Sequence, residues 1–230
     1  CNGFKDEDYL SAALGASAAG MNVTIVIEWL PGIDEALRVA ELMGVAPRLG
    51  LRVRLRSNVQ SRWEDSSGRH AKFGLTPDEV ERAMSQLRQA GALEQLKLLH
   101  FHAGSQISDL SGFGDAVAEL AGLFCILKHQ GAALDTIDVG GGLGVDYAGL
   151  AADREDSVNY SLDDYAGTVI ARIAAELSNH PEITAGQPVT IHSESGRALT
   201  AASSVTLFEV LGTANERDRT ATYFINASIF

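Results

Sequence analysis

Asp138-Val139-Gly140-Gly141-Gly142-Leu143-Gly144 follows directly on the apolar run Leu134 to Ile137. A strand that ends in a burst of glycines can turn sharply and lets backbone N–H groups approach a ligand closely. Phosphate is the usual guest of such loops, because the helix that follows adds its positive end. The same residues read equally as a tight strand-to-helix turn. The segments on either side decide between the two.

Outward from the glycines, strands and helices alternate. Upstream, Val23 to Ile27, Arg48 to Leu55 and Leu96 to Phe101 read as strands; Arg48 to Leu55 alternates, with its arginines on one side. Downstream, Pro188 to His192 reads as a fifth strand and Val205 to Leu211 as a sixth. Between them lie helical stretches at Asp6 to Ala19, Ile33 to Met43, Thr76 to Ala90, Ser111 to Gln130 and Ser161 to Leu177. Thr76-Pro77-Asp78-Glu79 and Ser161-Leu162-Asp163-Asp164 are helix starts, while Gly91 and Gly131 are stops. Nearly continuous apolar strands separated by helices indicate parallel β/α units. The polar stretches Asn58 to His70 and Gly149 to Tyr160 read as long loops of the kind that form lids.

Composition narrows the function. With 46% hydrophobic residues the 230-residue chain can bury a sizeable core. A net charge of −12 argues against nucleic acid and anionic membranes as partners. No apolar run approaches the ~20 residues of a membrane span, and nothing resembles a signal peptide. Cys1 and Cys125 have no metal or redox spacing, so the expected compartment is the reducing cytoplasm.

Polar residues gather where the strands end. Glu28 and Trp29 follow the first strand, and Arg56, Ser57 and Asn58 the second. His100, His102, Gly104, Ser105 and Gln106 end the third; Asp138 precedes the glycines, and Asp146 and Tyr147 follow them. His192, Glu194, Ser195, Gly196 and Arg197 end the fifth. Active groups of a β/α barrel sit at this rim, although a doubly wound sheet has a similar one. Each residue also has a plainer reading. Ser105 suits a helix cap, Glu194 and Arg197 suit a mutual ion pair, and Asp138 suits a brace for the loop.

Four ordered motifs add a resemblance: Lys72-Phe73-Gly74-Leu75, His100-Phe101-His102-Ala103-Gly104-Ser105-Gln106, Asp138 to Tyr147, and Ser193-Glu194-Ser195-Gly196-Arg197-Ala198. Together they resemble the fold-type III decarboxylases that use pyridoxal phosphate on an alanine-racemase-like barrel. Glu-Ser-Gly-Arg, Ser157 to Leu162 and Cys1 to Asp6 are most similar to the biosynthetic arginine decarboxylase branch. The resemblance implies roles. Glu194 matches the acid that pairs with the pyridine nitrogen, and His102 the histidine stacked on the ring. Arg197, Gly196, Ser105, Gly140, Gly141 and Gly142 match the phosphate site. Asp138, Asp146 and Tyr147 fall beside the substrate. It also implies a basic amino acid as substrate, with L-arginine going to agmatine and CO2 in polyamine synthesis, and a homo-oligomer. Mg2+ comes as a further expectation with no ligand set in the sequence.

Departures from the family pattern matter too. Lys5, Lys72, Lys97 and Lys128 are the lysines of the chain, and none sits in the motif of the lysine that tethers the cofactor. The expected fold is therefore α/β: a partial (β/α)8 TIM-type barrel of about five units over residues 1–204, then the start of a C-terminal β domain over 205–230. Such an internal piece is expected to be inactive alone. Ornithine, diaminopimelate or carboxynorspermidine decarboxylation, a non-catalytic regulatory relative, and an unrelated phosphate-binding barrel are the competing readings.

Overall fold

Five short strands lie side by side in the order in which they occur along the chain, all parallel. They are β1 (Thr24–Ile27), β2 (Arg48–Arg52), β3 (Leu96–His100), β4 (Thr136–Asp138) and β5 (Thr190–His192). The structure is a computed structural model and describes residues 2–57, 59, 73–152, 156–185, 187–203, 205–215 and 221–227. Cys1, Lys72, Asn58 and the rest of the predicted loop up to His70, apart from Val59, lie outside the described residues. Sequential order is the signature of the barrel; a doubly wound sheet reverses direction at a switch point.

The helices are α1 (Glu7–Ala18), α2 (Pro31–Met43), α3 (Pro77–Gln89), α4 (Leu110–His129), α5 (Leu162–Ser178), and the short α6 (Pro181–Thr184) and α7 (Gly196–Thr200). Their starts follow from side-chain chemistry. Thr76 and Glu79 form a reciprocal capping box for α3, and Ser161 and Asp164 do the same for α5. The α4 cap is Asp109, whose carboxylate accepts from Gly112 N at 2.9 Å, so Ser105 is not the cap of that helix. By length and composition α4 could cross a membrane. Its apolar surface has another explanation: Phe113, Val117, Leu120, Phe124 and Leu127 are fully buried in the core.

Alternation divides the sheet into two faces. Odd-numbered residues of β1 and β2 (Ile25, Ile27, Leu49, Leu51) pack into the core that the helices cover. Even-numbered residues (Thr24, Val26, Arg48, Leu98, Thr136, Asp138, Thr190, His192) line a cavity of about 590 Å³ on the opposite face. At the N-terminal end of the strands Arg48 lines that cavity, and its fork meets Asp135 at 2.5 and 3.1 Å and Thr136 Oγ1 at 3.0 Å.

The chain divides into compact units Cys1–Ala198 and Leu199–Phe230. The second contains an antiparallel pair, β6 (Val210–Asn215) and β7 (Ala221–Ile225). The sixth strand thus starts five residues later than predicted and shares only Val210 and Leu211 with the Val205 to Leu211 window. The apolar run there marks the approach to the strand, and pairing with β7 sets its register.

Candidate active site

The register of the sheet puts the polar strand ends in one row. Arg52 pairs with His100, His100 with Asp138, and Asp138 with His192. Glu28, one residue past β1, extends the row by accepting from Arg52 Nη1 at 3.0 Å. Glu194 lies two residues past His192 and shares its parity. One oxygen of its carboxylate, one of Asp138 and a ring nitrogen of His100 all come within 4.8 Å of one another. His100 Nδ1 stands 3.2 Å from Asp138 Oδ2, both side chains being buried.

The glycine loop packs against the ends of β3 and β5 so closely that side chains are excluded. A Cβ on Gly140 would stand 2.4 Å from Phe101 O, and Gly140 also has φ +68°. Cβ atoms on Gly141 and Gly142 would stand 2.7 Å from Glu194 O and 2.5 Å from Gly104 O. Hydrogen bonds knit the same contacts. Glu194 N donates to Gly140 O at 2.8 Å, Ile107 N to Gly142 O at 2.9 Å, and Gly140 N to Asp138 Oδ1 at 2.9 Å. The brace predicted as the plainer role of Asp138 is therefore present, alongside its position in the row.

Gly141 N donates to His102 Nδ1 at 3.2 Å, which makes that nitrogen an acceptor and leaves the proton on Nε2. Burial, reinforced by the positive charge of Arg52, holds the His102 pKa down to about 4. The imidazole is neutral at physiological pH. The unfolded chain takes up a proton on this residue below about pH 6.5 while the folded one does not until about pH 4. The stability that His102 contributes is thus present above pH 6.5 and is lost as pH falls towards 4. Replacing it with glutamine is expected to lessen the fall in urea midpoint between pH 7 and pH 4.5. An unchanged fall would mean that His102 is solvated.

Other predicted residues have specific partners. Glu194 Oε1 accepts from Asn2 Nδ2 at 2.8 Å, and Arg197 Nη1 donates to Tyr147 OH at 3.4 Å, so the mutual Glu194–Arg197 pair is replaced by these contacts. Gly196 N donates to Glu194 O at 2.8 Å and turns the chain towards Arg197. Ser105 is half-buried in the turn after β3. Asp146 is absorbed by its own loop, accepting from Ser157 Oγ at 2.6 Å, Ala151 N at 3.0 Å and Leu150 N at 3.2 Å.

Two contributors were not assigned from the sequence. Asn2 reaches Glu194 across 192 positions, a contact that no local pattern reveals. Gln106 is buried with φ +55° and pairs its side-chain amide with both backbone groups of Val145, at 2.6 and 3.0 Å. It acts as a strand-like clamp on the far side of the glycines. Its left-handed backbone is a feature that a polar residue at a strand end does not announce.

Comparison with known proteins matches this geometry to a family. Residues 1–201 match the family described as pyridoxal-dependent decarboxylase, pyridoxal binding domain. Biosynthetic arginine decarboxylase from Shewanella frigidimarina is 41% identical over 214 residues, covering 93% of this chain and 33% of that protein. Arginine decarboxylase 2 from Arabidopsis thaliana is 43% identical over 216 residues, covering 92% and 29%. The solved biosynthetic arginine decarboxylase from Campylobacter jejuni superposes with a TM-score of 0.70 at 31% identity, covering 86% of this chain and 30% of that one. Diaminopimelate decarboxylase from Helicobacter pylori in complex with L-lysine shares the fold, with a TM-score of 0.74 at 22% identity over 97% of this chain and 50% of that one. The chain spans about a third of the length of the curated relatives it matches. A sequential parallel sheet, a glycine loop closed against the ends of β3 and β5, and a sequence match over most of the chain agree: the chain belongs to the pyridoxal-dependent decarboxylases and carries their pyridoxal-binding domain.

Proposed function

We propose that this chain provides the cofactor platform of an enzyme that converts L-arginine to agmatine and CO2 in polyamine synthesis. The observation that carries the reading is the convergence of the Glu194 carboxylate, the neutral His102 ring and a glycine loop that admits no side chain. The arginine decarboxylases at 41% and 43% identity support the choice of substrate over ornithine, diaminopimelate or carboxynorspermidine.

The residues present fit pyridoxal phosphate. The amides of Gly142 and Leu143 and the Ser105 hydroxyl make no hydrogen bond to another described residue, which suits them to a phosphate. Arg197 would add a fork suited to a dianion. Gly140 and Gly141 hold the loop's shape, because their own amides are spent on Asp138 and His102. Pyridoxal phosphate, when bound, supplies a sink for the electron pair left behind as CO2 departs. Glu194 would hold a proton on the pyridine nitrogen, and His102 would lie against the ring face without adding charge. Asp138 keeps His100 and the loop in register, Tyr147 steadies Arg197, and Asp146 ties the following loop.

We assign residues 1–204 to the cofactor-binding barrel and 205–230 to the start of a β domain. We assign the tethering lysine to a part of the enzyme outside this sequence, since none of Lys5, Lys72, Lys97 and Lys128 sits in its motif; Lys5 and Lys128 are committed to the carbonyls of Val26 and Leu134. We also assign the enzyme to the cytoplasm as a homo-oligomer. Mg2+ gains no support, because each ligand cluster among the described residues contains histidine, whereas Mg2+ prefers oxygen ligands.

The test is labelled CO2 release by the full-length protein from carboxyl-labelled arginine, ornithine, diaminopimelate and carboxynorspermidine. Arginine is expected to be the preferred substrate; preference for another would overturn the substrate assignment. A companion variant separates binding from chemistry. Arg197→Ala is expected to weaken cofactor affinity by about one to two decades, the loss of a charge-assisted contact of ~1.5–3 kcal/mol. Turnover at saturating cofactor should change less. Wild-type affinity would place the phosphate elsewhere.

A further inference from the structure

Three side chains at the end of the barrel opposite Glu194 point at one spot. His129 closes α4, and His180 and Glu182 lie at the start of α6. His129 Nε2 is 3.4 Å from His180 Nδ1 and 3.2 Å from Glu182 Oε1, while His180 Nδ1 is 3.5 Å from the same oxygen.

Hydrogen bonds alone cannot place a proton on all three edges of this triangle. If both imidazoles donate to Glu182, two N–H groups face each other across the 3.4 Å edge. If one imidazole donates to the other, the acceptor's lone pair is already used and its contact with Glu182 lacks a proton. A cation at the centre uses all three lone pairs at once. Zinc bonds of ~2.0–2.2 Å in a tetrahedron separate the ligand atoms by about 3.3–3.6 Å, close to the distances found here.

Two imidazoles and a carboxylate suit zinc-like ions and not magnesium. The C-terminal end of α4 carries partial negative charge that also favours a cation. The three side chains are 38% to 57% exposed, so an ion can reach them and keep a water as fourth ligand.

We propose that His129, His180 and Glu182 form a site for a divalent transition-metal ion, with zinc as its representative. It would clamp the end of α4 to the start of α6. Helices in β/α units run back from the rim, so this site lies on the stability face of the barrel and away from the cofactor. The inference is independent of the substrate assignment.

The experiment is titration of the chelator-stripped full-length protein with zinc chloride alone, by calorimetry and by thermal midpoint. One zinc equivalent is expected to be lost, or weakened at least ~10-fold, in His129→Ala and in Glu182→Gln, given that even residues behind the ligands are worth 10–100-fold. Zinc should raise the thermal midpoint of the wild type and not of these variants, and magnesium should do neither. The midpoints of all three proteins without zinc should agree, which separates ligand loss from misfolding. Equal zinc stoichiometry and affinity in wild type and both variants would overturn the site, as would a zinc effect that magnesium reproduces.

Discussion

Glu194→Gln in the full-length protein is expected to bind pyridoxal phosphate and yet release CO2 about 10²-fold more slowly, or worse. The substitution is nearly isosteric. The glutamine carbonyl can still accept from Asn2, so the local fold should survive. The negative charge is what is lost, and with it the carboxylate proposed to keep the pyridine nitrogen protonated. The Glu194 backbone is pinned to Gly140 O, and its carboxylate lies near Asp138 and His100. The check is CO2 release at saturating cofactor. A near-normal rate would reduce Glu194 to the partner of Asn2.

Gly141→Val is expected to weaken the cofactor by one decade or more and to slow turnover as well. A Cβ there would lie 2.7 Å from Glu194 O and 3.4 Å from His102 Cε1. Its neighbour Gly140 has a positive φ, whereas Gly141 does not, so crowding rather than backbone conformation is being tested. Overpacking of this kind costs about 1–3 kcal/mol, and the loop relieves it by moving away from His102 and Glu194 together. Gly167→Ala in α5 is the control. Its Cβ would meet nothing within 4 Å, and alanine should if anything favour the helix. Cofactor titration followed by visible absorbance separates the two variants. Equal affinities would mean that the glycine loop is an ordinary turn.

Much of this architecture could be read from local chemistry. Helix α3 starts where Thr76 and Glu79 cap it, and α5 where Ser161 and Asp164 do. The arginines of β2 share a face because a strand repeats every two residues, and on that face Arg48 lines the cavity. The glycines after β4 announced a close approach, and the structure supplies what they approach: the carbonyls of Phe101, Gly104 and Glu194.

What escaped reading depends on distant partners. Ser105 looked like a cap, but the helix begins at Asp109, because the intervening turn is pinned by Ile107 N to Gly142 O. The Asn2–Glu194 bond joins the two ends of the first unit. Gln106 clamps Val145 only because its backbone adopts a conformation that polar side chains seldom need. The register of β6 comes from β7, not from the apolar run before it.

We propose that the loop from Gly140 to Leu143, Arg197 and Glu194 surround one pyridoxal phosphate. A crystal structure of the full-length protein grown with that cofactor tests it most directly. The phosphate is expected at the amides of Gly142 and Leu143 with Arg197 and Ser105, the pyridine nitrogen at Glu194, and His102 against the ring. Phosphate density away from the glycine loop, or a pyridine nitrogen that does not meet Glu194, would contradict it.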